Sequence, residues 1–174
     1  MTSIVDHFLI WWLRSARYPW SRLRRRLFEG GYKDRSLPAA HSLADIETCL
    51  REITWTMDGP LHLFDSISYP QTVWAKKKDA CDGFAILAAT LLRQWHPDWH
   101  PVLITAMVRP MQASHTVCGF LAPDGLAFFD NASLRGECQT YGDIVNKISL
   151  NAKRLVCWDV RDPLTLGLVE FHVA

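Results

Sequence analysis

The spacing of apolar residues predicts an amphipathic helical segment at the start of the chain. Six apolar residues recur there three and four positions apart, which is the period of one helix face: Leu9, Leu13, Ala16, Trp20, Leu23 and Leu27. Pro19 lies within this stripe, so we expect two helices or a kink, with the second helix beginning near Pro19. The arginines between residues 14 and 26 lie around and opposite the stripe, and we expect them to be solvated.

A further helix, after the N-terminal segment, is predicted to begin at Ser42, because Asp45 follows three residues later in a partial capping-box position. The Asp-Gly-Pro sequence at 58–60 is expected to stop it. Residues 33–40 and 66–71 are predicted to be loops, the second one extended. The buried face of the helix would be Leu43, Ile46, Leu50 and Ile53.

Beyond residue 80 the pattern changes from one helix to a series of strands. The apolar run at 86–92 predicts a helix that begins at Cys81 and ends in the turn at 96–100. We therefore expect extra helices at residues 1–35 and a main domain at 36–174 with a sheet of about five strands. Strands are predicted at 102–108, 114–121, 126–130, 154–160 and 166–173, a short helix at 140–148, and loops at 109–113 and 131–139.

Cys81 is the candidate nucleophile, because a thiol at the start of a helix meets the partial positive charge of unpaired backbone N–H groups. Three lysines precede it, Lys76, Lys77 and Lys78. A free thiol titrates near ~8.5, and positive surroundings favour the thiolate. The same position also suits a small buried hydrophobe, which is the commoner role of an intracellular cysteine.

A histidine and a carboxylate follow at the same end of a predicted hairpin. His115 begins one strand and Asp130 ends the next, with a Pro-Asp-Gly turn at 123–125 between them. In a register that sets Asp130 opposite Val117, the carboxylate lies on the face of His115 and one diagonal step away. A slip of one residue would put the two side chains on opposite faces.

These residues predict acyl transfer by a Cys81-His115-Asp130 triad. His115 would accept the thiol proton or form an ion pair with the thiolate, and Asp130 would orient the imidazole. The backbone N–H of Cys81 would stabilise the oxyanion, with Gln71 or Trp74 as the second donor. Separately, Tyr69, Arg109 and Arg135 are candidates for substrate binding, since they belong to segments that are expected to line the cleft.

The motifs around these residues resemble the transglutaminase-like cysteine hydrolase superfamily. Its Cys-[Asp/Glu]-x-Phe-Ala signature is similar to residues 81–85, and its His and Asp motifs are similar to His115-Thr116-Val117 and Phe129-Asp130. The resemblance covers residues 73–131. It implies a papain-like α+β core, in which the helix with the cysteine packs on an antiparallel sheet with the histidine and aspartate, and it implies no cofactor.

The chain departs from the superfamily pattern at two positions. Asp79 stands where relatives usually have glycine, and Val117 stands where an aromatic residue is common. The Gly-Gln-Cys-Trp motif of calcium-dependent animal transglutaminases is absent. The expected function is a thiol peptidase or amidase that acts on a peptide or protein, and the alternative is a non-catalytic binding module of the same fold.

Charge and cysteine content indicate which partners and which cellular compartment to expect. A net charge of +1 argues against a nucleic-acid partner. Five cysteines without a Cys-x-x-Cys pair indicate reduced thiols, and neither a signal peptide nor a membrane span is recognisable, so the cytoplasm is expected. Pro97 separates His96 from His100, and no metal site is expected. The Trp/Arg-rich N-terminal helices are either packed on the domain or a docking surface for a protein partner or a membrane interface.

Overall fold

The N-terminal segment forms one continuous helical rod in the computed structural model, which describes residues 3–57 and 66–174. It consists of α1 (Ile4–Trp11), a π-helical turn (Trp12–Ala16) and α2 (Arg17–Phe28). The predicted start near Pro19 is confirmed, since α2 begins two residues before it. The Arg17 N–H bonds to the Trp12 carbonyl five residues earlier, which is the π-helical spacing.

The π turn changes which side of α2 is buried. Leu13 is fully buried, but Leu23 and Leu27 are 49% and 63% exposed. Arg17 and Arg25 are buried instead, with 0% and 5% exposure, so the prediction was wrong for the second half of the stripe and for these two arginines, whereas Arg14, Arg22 and Arg26 are exposed as expected. The extra residue per turn rotates the buried side, and both guanidinium groups find polar partners inside the protein.

Among the described residues, two short α-helices lie between the rod and the cysteine helix. Ser42 caps α3 (Leu43–Arg51) as predicted, and its predicted buried face is largely confirmed, with Leu43 only partly buried. The helix ends at Arg51, before residues 58–60, which lie outside the described residues. β1 (Thr54–Trp55) comes next, and α4 (Pro70–Lys76) replaces the end of the predicted loop at 66–71, because proline is well suited to the first turn of a helix.

A six-stranded antiparallel sheet follows the cysteine helix α5 (Cys81–Trp95). The expected α+β architecture is confirmed at this level, and β2 (Lys78–Asp79) pairs separately with β1. Residues 133–138 form a strand rather than the predicted loop. This strand is at the sheet edge with mostly exposed side chains, so it shows no apolar alternation. In spatial order the strands are β6 (Ser133–Cys138), β5 (Gly125–Asp130), β4 (His115–Ala122), β3 (Val102–Arg109), β7 (Arg154–Arg161) and β8 (Leu168–Val173).

Helices cover both faces of this sheet. α5 packs on one face, where Phe120 and Phe129 stack with ring centroids 5.6 Å apart. The predicted helix α6 (Tyr141–Ile148) packs on the other face against Val117 and Phe128. Thr140 caps α6, and its first-turn Asp143 completes a capping box. The sheet is therefore buried on both sides at its centre, and the candidate site lies at one end of it.

Candidate active site

Cys81 is the first residue of α5, as predicted from the sequence. Ala80 precedes it in an extended conformation and provides no side-chain cap, so the start of the helix depends on other groups. The Cys81 side chain is buried, with 9% exposure. The thiol therefore has the position at a helix N-terminus that favours a negatively charged sulfur.

Asp79 and Gly83 fit together beside the thiol. A β-carbon built at Gly83 would lie 2.3 Å from the Asp79 β-carbon, which is far inside van der Waals contact. The Asp79 carboxylate accepts a hydrogen bond of 2.8 Å from the Ala80 N–H. The unusual aspartate at position 79 is thus accommodated by the absence of a side chain at position 83.

Two of the three lysines before Cys81 are engaged elsewhere. Lys77 forms a 2.8 Å ion pair with Glu52 and lies over the Trp74 ring. Lys76 lies 5.5 Å from the ring centroid of Tyr32. The expectation that these lysines act on the thiol is weakened for both, since each has a different neighbour.

His115 and Asp130 form the hydrogen-bonded pair that the sequence predicted. His115 Nε2 lies 2.8 Å from Asp130 Oδ1. The register is also the predicted one, because Cys118 pairs with Phe129 and the ladder continues towards Val117 and Asp130. With Nε2 committed to the carboxylate, Nδ1 is the ring nitrogen left to exchange a proton with a substrate or a thiol.

Arg135 is the second partner of Asp130. Its Nε donates to Asp130 Oδ2 at 3.0 Å, although the arginine side chain is 57% exposed. The hydrogen bond with His115 and the charge of Arg135 lower the pKa of Asp130, against a smaller opposing effect of burial. The role of Arg135 in substrate binding stays a prediction, and in the structure its guanidinium donates to the Asp130 carboxylate.

The His115–Asp130 pair lines an open cleft on the α6 side of the sheet. Side chains alternate along a strand, and Val117 and Phe128 on the same face belong to the cluster around α6. The cleft has a volume of about 860 Å³. It is also lined by residues 134–137 of β6, by residues 147 and 148 of α6, and by residues 150 and 151 after α6. Because His115 is the first residue of β4, its ring lies at the end of the sheet, where it lines this cleft.

Arg17 ties the start of α5 to the start of β4. Its Nη2 lies 3.8 Å from Asp82 Oδ2 and donates to Thr116 Oγ1 at 3.3 Å. Asp82 directly follows Cys81, and Thr116 directly follows His115. The thiol and the imidazole are therefore carried by elements that begin at the same end of the sheet, although α5 packs on the face opposite to that of His115. Sequence reasoning missed Arg17, because one arginine among six on a helix gives no signal of burial.

Gln71 and Trp74 lie on α4 rather than on a loop. Together with Arg35, Ser36 and Lys77 they line a separate cleft of about 550 Å³. Gln71 and Trp74 are three residues apart and therefore lie on the same side of α4, which faces that cleft. Their role as oxyanion donors stays a prediction.

The two remaining substrate-binding candidates have structural partners. The Tyr69 N–H donates to Glu29 Oε2 at 2.8 Å, and its ring carries the Arg25 guanidinium 4.9 Å from the centroid. Arg109 Nε donates to Asp6 Oδ1 at 3.1 Å, which connects β3 to α1. Their role in substrate binding is untested, and both residues hold the N-terminal rod in place.

In three of the other four cysteines, burial raises the pKa of the thiol. Burial raises the pKa of Cys157 to about 12 and raises the pKa of Cys118 even further. Burial also raises the pKa of Cys49, which lies on α3. These three thiols stay protonated at neutral pH, so a reactive Cys81 would be distinguishable from them.

Comparisons with known proteins give no family for this chain. No protein-family model matches the sequence, and no curated protein matches it significantly. In the described part of the chain, no helix is both long and apolar enough to cross a membrane. The function must therefore be argued from the site itself.

Proposed function

We propose that this protein is a cysteine-dependent acyl-transfer enzyme, a thiol peptidase or amidase with Cys81 as nucleophile, His115 as base and acid, and Asp130 as orienter. The observation that carries the proposal is the 2.8 Å bond between His115 Nε2 and Asp130 Oδ1, at the end of the sheet where the thiol-bearing helix begins. The resemblance of residues 81–85 to the transglutaminase-like signature supports the same assignment and a papain-like core.

The reaction follows from the roles of these groups. The Cys81 thiolate attacks the carbonyl carbon of a peptide or protein amide, and the tetrahedral oxyanion is stabilised by the Cys81 backbone N–H at the helix start. His115, protonated on Nδ1, gives its proton to the departing amine. It then takes a proton from water, which attacks the thioester and releases the carboxylic acid and the Cys81 sulfur.

The proposal requires the imidazole to control the reactivity of the thiol across the end of the sheet. The test is the rate of iodoacetamide alkylation at each cysteine between pH 5 and 9, read by peptide mass spectrometry. We expect Cys81 to react fastest and to keep its rate at low pH. The His115→Ala variant should slow alkylation of Cys81 at least tenfold at pH 6.5, because the thiolate loses its imidazolium partner.

The control is a second histidine paired with a carboxylate. His172 Nε2 lies 3.2 Å from Glu170 Oε2 on β8, away from the site, so His172→Ala should leave the rate at Cys81 unchanged. Equal alkylation of all thiols, or a Cys81 rate that ignores His115→Ala, would contradict the assignment. A positive result should be followed by trapping an acyl adduct on Cys81 from a peptide library, which Cys81→Ala must abolish.

The same experiment separates the enzyme from a non-catalytic binding module. A module that binds peptides in the 860 Å³ cleft would retain them without an adduct on Cys81, and its peptide affinity would be unchanged by Cys81→Ala. Deleting residues 1–35 is unsuitable as a test of binding, because Arg17 and Tyr18 are part of the core.

A further inference from the structure

The N-terminal rod exposes a row of large apolar side chains on the side that faces away from the sheet, which we call the outer face. Trp11 is 54% exposed, Leu27 63% and Phe28 72%. A folded protein rarely leaves so many large apolar side chains on one element without a use for them. The outer face consists of Ile4, Phe8, Trp11, Trp20, Leu23 and Leu27, and Phe28 is exposed beside it at the end of α2.

The rod cannot turn this face inward. At its start, the buried Asp6 carboxylate binds both Arg109 of β3 and Arg154 of β7. At its end, Arg25 donates to the carbonyl oxygens of residues 67 and 68 at 2.8 and 2.7 Å. Between them, Arg17 is buried against the sheet. These anchors fix the rotation of the helix, so the exposure of the outer face is built into the fold.

The rod carries positive charge beside these apolar side chains. Arg14, Arg22 and Arg26 are exposed, and among the described residues none of them lies within 4.0 Å of a carboxylate. The acidic groups on and against the rod are occupied, since Asp6 is buried and Glu29 pairs with Arg24 at 2.7 Å. The buried Asp82 and Asp159 contact Arg17 and Tyr18 on its inner side. The unmatched guanidinium groups therefore give this side of the protein a positive field, although the whole chain has a net charge of only +1.

We propose that the outer face docks onto an anionic lipid bilayer, with the rod lying in the plane of the interface. Apolar and aromatic side chains flanked by arginines along a helix are the pattern of interfacial helices. The shape favours a membrane over a protein partner. A helix of 25 residues forms a convex rod of roughly 35 Å, which offers no groove but fits a flat amphipathic surface along its whole length.

The test is co-sedimentation of the full chain with vesicles of phosphatidylcholine alone or with 30% phosphatidylglycerol. We expect binding only to the anionic vesicles, and weaker binding as salt rises. Leu23→Glu with Leu27→Glu should lower the binding constant at least tenfold. Arg22→Gln and Arg26→Gln should each lower it roughly fivefold in 0.1 M salt, since a basic residue near such a surface contributes about that factor.

The control variant is Leu150→Glu, which changes an apolar side chain that is 78% exposed after α6 and far from the rod in sequence. It should bind vesicles like the wild type. The proposal is overturned if the folded protein does not bind anionic vesicles at about 1 mM lipid, or if the outer-face variants bind unchanged. It is also overturned if the double variant instead abolishes a dimer in gel filtration while the wild type ignores vesicles, which would assign the face to a second copy of the chain.

Discussion

Replacing Arg17 should show whether the N-terminal rod supports the candidate active site. The Arg17 side chain is fully buried, and its guanidinium contacts Asp82 at 3.8 Å, Thr105 at 3.0 Å and Thr116 at 3.3 Å. In Arg17→Met the two threonines still bond each other at 3.1 Å, so most of the cost arises at Asp82. Its carboxylate then lies in a buried site without this guanidinium, which costs on the order of 3 kcal/mol.

The free energy of unfolding, measured by urea denaturation with circular dichroism, should therefore fall by about that amount. The Asp82→Asn exchange in the Arg17→Met background should recover part of the loss, because no buried charge then needs a counterion. We expect a coupling energy of about 1–3 kcal/mol in the double-mutant cycle. The alkylation rate of Cys81 should fall as well, since the start of α5 is no longer tied to Thr116 of β4.

Arg25→Met is the matched control on the same helix. Arg25 is equally buried, but its hydrogen bonds go to the carbonyl oxygens of residues 67 and 68. Its loss should destabilise the protein by about 1–3 kcal/mol, and its coupling to Asp82, whose charge also acts on Arg25, should be smaller than the coupling between Arg17 and Asp82. The reasoning is refuted if Arg17→Met costs less than about 1 kcal/mol, or if the Arg17 and Asp82 effects simply add.

Three further predictions concern the pH dependence and the packing near the site. Burial raises the pKa of Asp159 to about 6, above its ordinary value of 3.8. The free energy of unfolding should therefore fall by on the order of 3 kcal/mol as the pH rises from about 4 to 6, because the unfolded chain releases this proton first. Unfolding curves of Asp159→Asn should lack this pH dependence. Arg135→Gln should raise the pKa of Asp130 and shift the acidic limb of activity to higher pH, whereas Arg93→Gln, another exposed ion-paired arginine, should not. Gly83→Ala should destabilise the protein by about 1–3 kcal/mol in urea unfolding, and Asp79→Gly should relieve it. Additive losses in that pair would contradict the packing argument.

The elements that bear the candidate triad could be predicted because their signals are local. An apolar run behind Cys81 fixes the helix, and β-rich runs around a Pro-Asp-Gly turn fix the hairpin. The hairpin register follows from the turn and from which residues must be buried, so the contact between His115 and Asp130 could be predicted. Edge strand β6 was missed because exposed side chains carry no alternating pattern.

The burial of Arg17 and Arg25 could not be predicted, because it depends on partners far away in sequence. Arg17 meets Thr105 and Thr116 of the sheet, 88 and 99 residues later. A π turn before α2 rotates the helix so that arginines replace leucines on the inner side, and no residue pattern announces that turn. The α2 part of the outer face exists for the same reason, because Leu23 and Leu27 are exposed instead of buried.

The charges around Cys81 decide which group must activate the thiol. Asp79 and Asp82 are acidic residues on either side of it, and a carboxylate near the helix start opposes a second negative charge on the sulfur. Arg17 lies 3.8 Å from Asp82 and offsets that charge, whereas Lys77 is occupied by Glu52. Lys78 is exposed to solvent, which screens its charge, so the main favourable contributions in the proposal are the helix N-terminus and the imidazole. Removing His115 should therefore affect the reactivity of Cys81 more strongly than removing any single lysine, and a Lys77→Gln variant that slows alkylation as much as His115→Ala would contradict this assignment.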